Sequence, residues 1–122
     1  MRMIAKAATA VAFTAGLLAT AGATGAQAQP ATSTYEGCPA GYVCIYPNAS
    51  WNSGHPSELY LSYGGHNLSN QFGVHRVFNN QTGGAHVYLC KGTGGTNCVF
   101  RIDAFVYSDY DLTPINSVLL TT

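Results

Sequence analysis

Val43-Cys44-Ile45-Tyr46 is answered by Val87-Tyr88-Leu89-Cys90, and Asn67-Leu68-Ser69 by Asp111-Leu112-Thr113, both at 87−43 = 111−67 = 44 residues. A period of about 20 to 50 residues marks a supersecondary unit that buries its apolar face only against a neighbour. The chain is therefore expected to carry two copies of one unit and to fold through their pairing. Around the echoes, segments 42–46, 58–63, 74–78, 85–90, 99–107 and 115–120 carry Val, Ile, Tyr and Phe. Pro47-Asn48, Gly64-Gly65, Gly83-Gly84 and Gly94-Gly95 punctuate them as turns. No long stretch keeps a helical period. The expected fold is all-β, a sandwich or barrel of antiparallel pairs in which each half is a four-stranded Greek key.

The repeat is preceded by a segment of another kind. Arg2 and Lys6 form a charged start, residues 7–23 are small, apolar and uncharged, and Ala26-Gln27-Ala28 has the small-x-small form that signal peptidase accepts. Residues 1–28 are read as a signal peptide cleaved after Ala28. The competing reading is a membrane anchor, but Gly16, Gly22, Thr24 and Gly25 dilute the segment. Residues 29–36 then form a flexible lead-in, and 37–122 a single domain with motif 1 over about 37–80 and motif 2 over about 84–122. The chain after cleavage keeps Arg76, Lys91 and Arg101 against Glu36, Glu58, Asp103, Asp109 and Asp111, a net charge of 3 − 5 = −2. That balance lacks the basic stripe a phosphate backbone requires, so nucleic acid and acidic membranes are not expected partners. The mature form is expected to be extracellular and monomeric.

Cys38, Cys44, Cys90 and Cys98 all lie in the exported part, where an even number implies a disulfide framework. Of the three pairings, Cys38–Cys44 and Cys90–Cys98 are favoured because each closes a short glycine-containing loop. Zinc is the alternative use of four cysteines, but no Cys-x-x-Cys pair occurs. Catalysis is not expected either. His55, His66, His75 and His86 never fall at a two-histidine helical spacing, and no Gly-x-Ser-x-Gly elbow is present. Sequence does not bring Glu58 and Asp103 together as an acid–base pair. No cofactor and no metal are expected.

Tyr46, Trp51 and Gly54 resemble the folded-hairpin signature of βγ-crystallin motifs, an aromatic, a second aromatic after four residues, then a glycine. At the 44-residue offset the second copy has Cys90, Gly95 and Cys98 there, so a Cys90–Cys98 bridge is expected to staple the hairpin that Tyr46 and Trp51 hold in the first. The opening Cys38-Pro39-Ala40-Gly41-Tyr42-Val43-Cys44-Ile45-Tyr46, with the endings Val77-Phe78-Asn79-Asn80 and Ile115-Asn116-Ser117-Val118, resembles a family of secreted actinobacterial proteins. These are the peptidase inhibitors of the Streptomyces metalloproteinase inhibitor type, which share the βγ-crystallin-like fold. The resemblance spans about 37–122. It implies a βγ-crystallin-like sandwich of two Greek-key motifs that inhibits a secreted peptidase through a rigid exposed loop.

Two surfaces are candidates for that contact. One is the loop Lys91-Gly92-Thr93-Gly94-Gly95-Thr96-Asn97, with Lys91 its only charge; the other is the hairpin of Tyr46 and Trp51. In the family's metalloprotease inhibitors the reactive bond lies in a short disulfide-enclosed loop with an apolar residue after the cut. Lys91 to Asn97 offers none. The resemblance also raises calcium binding. Its acidic and hydroxyl signature is replaced here by Gln71-Phe72-Gly73-Val74-His75-Arg76 and Leu112-Thr113-Pro114-Ile115-Asn116-Ser117, which leaves Asp109 and Asp111 as solvated loop charges. The alternative functions are a surface module, glycan-binding or killer-toxin-like, and a calcium-binding structural domain. For the first, Tyr42, Tyr46, Tyr60, Tyr63, Tyr88, Tyr107 and Tyr110 would have to form a ring platform instead of packing between strands.

Overall fold

The computed structural model describes residues 33–122. The expected signal peptide, its expected cleavage point and the start of the expected lead-in lie outside them. In chain order the strands are β1 (Val43–Ile45), β2 (Glu58–Tyr60), β3 (Gly64–Asn67), β4 (Val74–Asn79), β5 (His86–Cys90), β6 (Cys98–Ile102), β7 (Tyr107–Asp111) and β8 (Ser117–Thr121). Among the described residues the only helical pieces are single 3-10 turns at Asn52–Gly54 and Thr93–Gly95. All strand pairs are antiparallel and build two four-stranded sheets, β2-β1-β4-β7 and β3-β8-β5-β6.

That order gives the repeat its physical form. The first copy supplies β1 to β4 and the second β5 to β8, yet β3 pairs with β8 and β7 pairs with β4. The third strand of each copy therefore completes the other copy's sheet.

Six strand segments were expected and eight strands form. The segment 99–107 breaks after Ile102, where Phe105 turns left-handed at φ 65° and its N–H donates to the Asn79 carbonyl at 2.6 Å. Its two ends enter different sheets as β6 and β7, and Asp109 and Asp111 consequently lie on a strand and not in a loop. Gly64-Gly65, expected as a turn, opens β3 opposite Leu120 and Leu119. Gly65 is required by a close approach: a Cβ there would lie 2.3 Å from the carbonyl of Gly94.

Alternation places Val43 and Ile45 of β1, Val77 of β4, Val87 and Leu89 of β5, Ile102 of β6, and Val118 and Leu120 of β8 in one buried cluster with Leu112 and Ile115. Each such side chain contributes roughly 1.5 to 3 kcal/mol by leaving water. Buried amides stitch the cluster's edge. Asn79 is fully buried; its Nδ2 donates to the carbonyls of Ala85 and Ile102, both at 3.0 Å, and its Oδ1 accepts from the Gln81 N–H and Nε2. One side chain thus joins β4 to the entry of β5 and the exit of β6. The buried ring of His75 lies between the carbonyls of Tyr46, at 2.7 Å, and Phe72, at 2.9 Å.

Candidate functional site

The copies differ between their first and second strands. Residues 46–57 join β1 to β2, whereas the shorter 91–97 joins β5 to β6. The 3-10 turns correspond at 93−52 = 41 residues, with Gly54 (φ 78°) matched by Gly95 (φ 82°). The backbone counterpart of Gly54 is therefore Gly95, and the 44-residue offset that pairs it with Cys98 does not survive into the shortened loop.

In the first copy the hairpin is held by rings. The half-buried Trp51 stands edge-on at centroid distances of 5.4 Å to Tyr35, 5.3 Å to Tyr46, 5.3 Å to Phe78 and 4.9 Å to Tyr107. The Arg76 guanidinium lies 4.7 Å from the indole centroid and 4.2 Å from that of Tyr107. It donates to both oxygens of Asp109, at 2.8 and 3.0 Å, and to the Ala49 carbonyl. Such a partly desolvated cation over two rings holds them in place as well as satisfying its own charge. Tyr46 is fully buried; its hydroxyl donates to the Glu36 carbonyl at 2.7 Å, and burial pushes its pKa up to about 12. Beneath it the Cys38–Cys44 bridge spans 5.9 Å between Cα atoms. Trp51, expected to look outward as a binding residue, has its ring engaged by this surround.

In the second copy the Cys90–Cys98 bridge forms, joining residues that face each other across β5 and β6 beside a bulge. The loop it closes is folded down onto the sheet. Lys91 N–H donates to the Asn97 carbonyl and Gly92 N–H to that of Thr96, both at 2.9 Å. Gly94 N–H donates to Asn67 Oδ1 at 2.7 Å, and Gly95 N–H to Ser117 Oγ at 2.9 Å. The carbonyls of Lys91 and Gly92 accept from Asn116 Nδ2 and Ser117 Oγ. Few backbone groups between Lys91 and Gly95 are left to pair with a visitor. Lys91 itself is exposed, and it alone among the described lysine and arginine residues has no acidic partner, since Arg76 pairs with Asp109 and Arg101 with Asp103.

The stretch beyond the loop differs in kind. Residues 96–101 are six consecutive exposed positions running into β6, the outer strand of its sheet. Val99 is 45% and Phe100 38% exposed. Removing the bridge by replacing Cys90 and Cys98 with serine is expected to cost about 2 to 3 kcal/mol by the loop-entropy estimate. Denaturant unfolding measures that loss, and amide exchange should report faster opening at Lys91 and Gly92.

Among the described residues no group of three or more His, Cys, Asp or Glu side chains is placed to hold a metal ion. Asp109 serves Arg76, and the Asp111 carboxylate is held below its ordinary pKa first by the Thr113 side chain and then by the Thr113 N–H, which donates to it at 3.0 Å. His86 and Arg101 both meet Asp103. No described helix is long and apolar enough to cross a membrane. Three features escaped sequence reading: the rings around Arg76, the buried amides of Asn79 and Gln81, and the exposed edge at Val99. Only the last left a local signal, an apolar pair directly after a cysteine. Comparison with family models, curated proteins and solved structures finds no match.

Proposed function

We propose that the chain is a secreted peptidase inhibitor of βγ-crystallin-like, double Greek-key build, and that the enzyme meets it along residues 98–101, the extended stretch that begins after Asn97 turns left-handed at φ 53°. The observation that carries this reading is the exposed, extended edge running on from the Cys98 bridge. Peptidase clefts receive a chain in extended form, pairing its backbone as an added strand. A segment already fixed in that form loses little further freedom on binding, which raises affinity and slows release. Residues 91–95 act as the buttress, because their backbone is bonded inward, and Lys91 presents a charge at the rim. The Streptomyces-type inhibitors carry their apolar residue inside the disulfide-enclosed loop; here the apolar residue, Val99, lies one position outside the Cys90–Cys98 loop, so the contact proposed is with the strand that leaves the bridge. The exchanged third strands and the Tyr46–Trp51 hairpin support the βγ-crystallin-like part of the reading. A glycan platform at Trp51 is less well supported, since its ring is already engaged by Arg76 and Tyr107.

The test is hydrolysis by a panel of secreted metallo- and serine peptidases with and without micromolar protein. At least one enzyme should be slowed, and Val99→Asp should weaken that inhibition about 10- to 100-fold, equivalent to roughly 1.4 to 2.8 kcal/mol. Its melting temperature should fall by no more than about 4 to 8 °C, because the side chain is half exposed and the change costs about 1 kcal/mol of strand preference. Full activity of every enzyme in the panel would sink the proposal.

A further inference from the structure

The four outer strands are not equally protected against pairing with another chain. β2 has three residues, too few for a stable ladder, and β7 carries Asp111, a charge that no salt bridge offsets among the described residues, beside Asp109, which Arg76 offsets. β3 begins Gly64-Gly65 and has Gly94 lying against it. Short length, charge and cover are the ordinary devices that keep a sheet edge from recruiting a neighbour. β6 is neither short nor covered. It holds five residues, four of them exposed, with no proline and no acidic side chain. Its single charge, Arg101, is neutralised by Asp103 of the same chain at 3.0 Å, so two such edges meet without a like-charge barrier.

We infer that β6 is also a self-association edge, at which a second copy of this chain pairs antiparallel across a twofold axis and covers the stretch assigned above to the peptidase. This rests on the reading of that stretch as inhibitory only for its consequence, not for the pairing itself. Register follows from charge and symmetry. Centring the axis on Arg101 would set two guanidinium groups directly opposite, which is destabilising. Centring it on Phe100 sets Phe100 against its own copy and Val99 against Arg101 on both sides, with all five residues of each strand in the ladder. The two sheets β3-β8-β5-β6 then join into one of eight strands. The contact is confined to one short strand and falls well below the roughly 1,200 Å² of a stable interface, so the pair forms only at high concentration. At low concentration the chain is a monomer with its edge open.

Sedimentation of the intact mature protein from about 10 µM to 1 mM, with no peptidase present, tests the pairing. A reversible shift to twice the mass is expected, and Val99→Lys, which puts a charge on the exposed face of that edge, should abolish it. Phe100→Cys tests the register, because a residue on the axis faces itself. It should oxidise to a covalent dimer at least 10-fold faster than Val99→Cys at equal concentration. That covalent dimer should be inactive against any peptidase that the reduced form inhibits. A chain monomeric to 1 mM, or equal crosslinking of the two variants, overturns the inference and leaves the inhibitor reading standing. Dimers that form while no peptidase is ever slowed overturn the inhibitor reading and leave this one.

Discussion

Replacing Trp51 with alanine should destabilise the domain by about 3 kcal/mol, at the low end of the range for emptying a large aromatic site because the indole is only half buried. For a domain of this size that corresponds to a fall in melting temperature of roughly 12 to 24 °C. The loss exceeds the area of the indole because the ring is shared. Tyr35 and Phe78 touch it from the lead-in and β4, Tyr46 from the end of β1, and Tyr107 from β7. Removing it also takes one of two aromatic faces from Arg76, whose guanidinium still holds Asp109. Arg76→Ala should then cost less in the Trp51→Ala background than in the wild type, since the two side chains stabilise each other. Thermal and urea unfolding of the four proteins in that cycle give the answer. A loss below about 1 kcal/mol for Trp51→Ala would mean that the indole spends its time in water, and would return it to consideration as a binding residue.

A comparable effect is expected at Asn79, by a different cause. Asn79→Leu keeps the volume but removes an amide that donates to the carbonyls of Ala85 and Ile102 and accepts two N–H groups of Gln81. The site is fully buried, so water does not replace those partners. Each orphaned group costs about 1 to 3 kcal/mol, and Gln81 Nε2 is partly compensated by its bond to the His86 carbonyl. The expected total is roughly 3 to 5 kcal/mol, in the upper tail of single substitutions. The denaturant midpoint should fall with little change in slope, because the compactness of either state is not what alters. A midpoint within experimental error of the wild type would show that the amide network is dispensable.

How much of this was legible in the sequence varies with the kind of interaction. The Val43 and Val87 echoes gave the number of copies, and alternation around them gave the apolar interior, because both are local periodic signals. The two bridges followed from short spacing. What escaped depends on pairing between distant strands. Nothing near Gly64 says that its strand leaves its own copy to lie beside Leu120, and nothing near Phe105 says that the apolar run through it must break. In the sequence Arg76 is one cation among three; only the register that puts it opposite Asp109, with Tyr107 two residues earlier on β7, makes it the centre of the aromatic group. The Cys90–Cys98 bridge that closes the candidate loop was legible from its spacing. The loop's conformation was not readable, because it is decided by Asn67, Asn116 and Ser117, on strands or turns outside it.

The crossing of β3 and β7 into opposite sheets has a consequence for how the molecule comes apart. An unpaired single copy would leave its third strand without a partner and its sheet one strand short, so neither copy is a foldable unit by itself. Unfolding must then be all-or-none across 37–122, and refolding must wait for contacts between distant residues, such as Arg76 with Asp109, 109−76 = 33 positions apart, and His66 with Val118, 118−66 = 52 apart. By the same geometry the connection through 80–85 is needed only to keep the copies together. A chain carrying a single copy could satisfy every strand by trading its third one with an identical chain, which describes the symmetric assembly from which a duplicated gene of this kind would start.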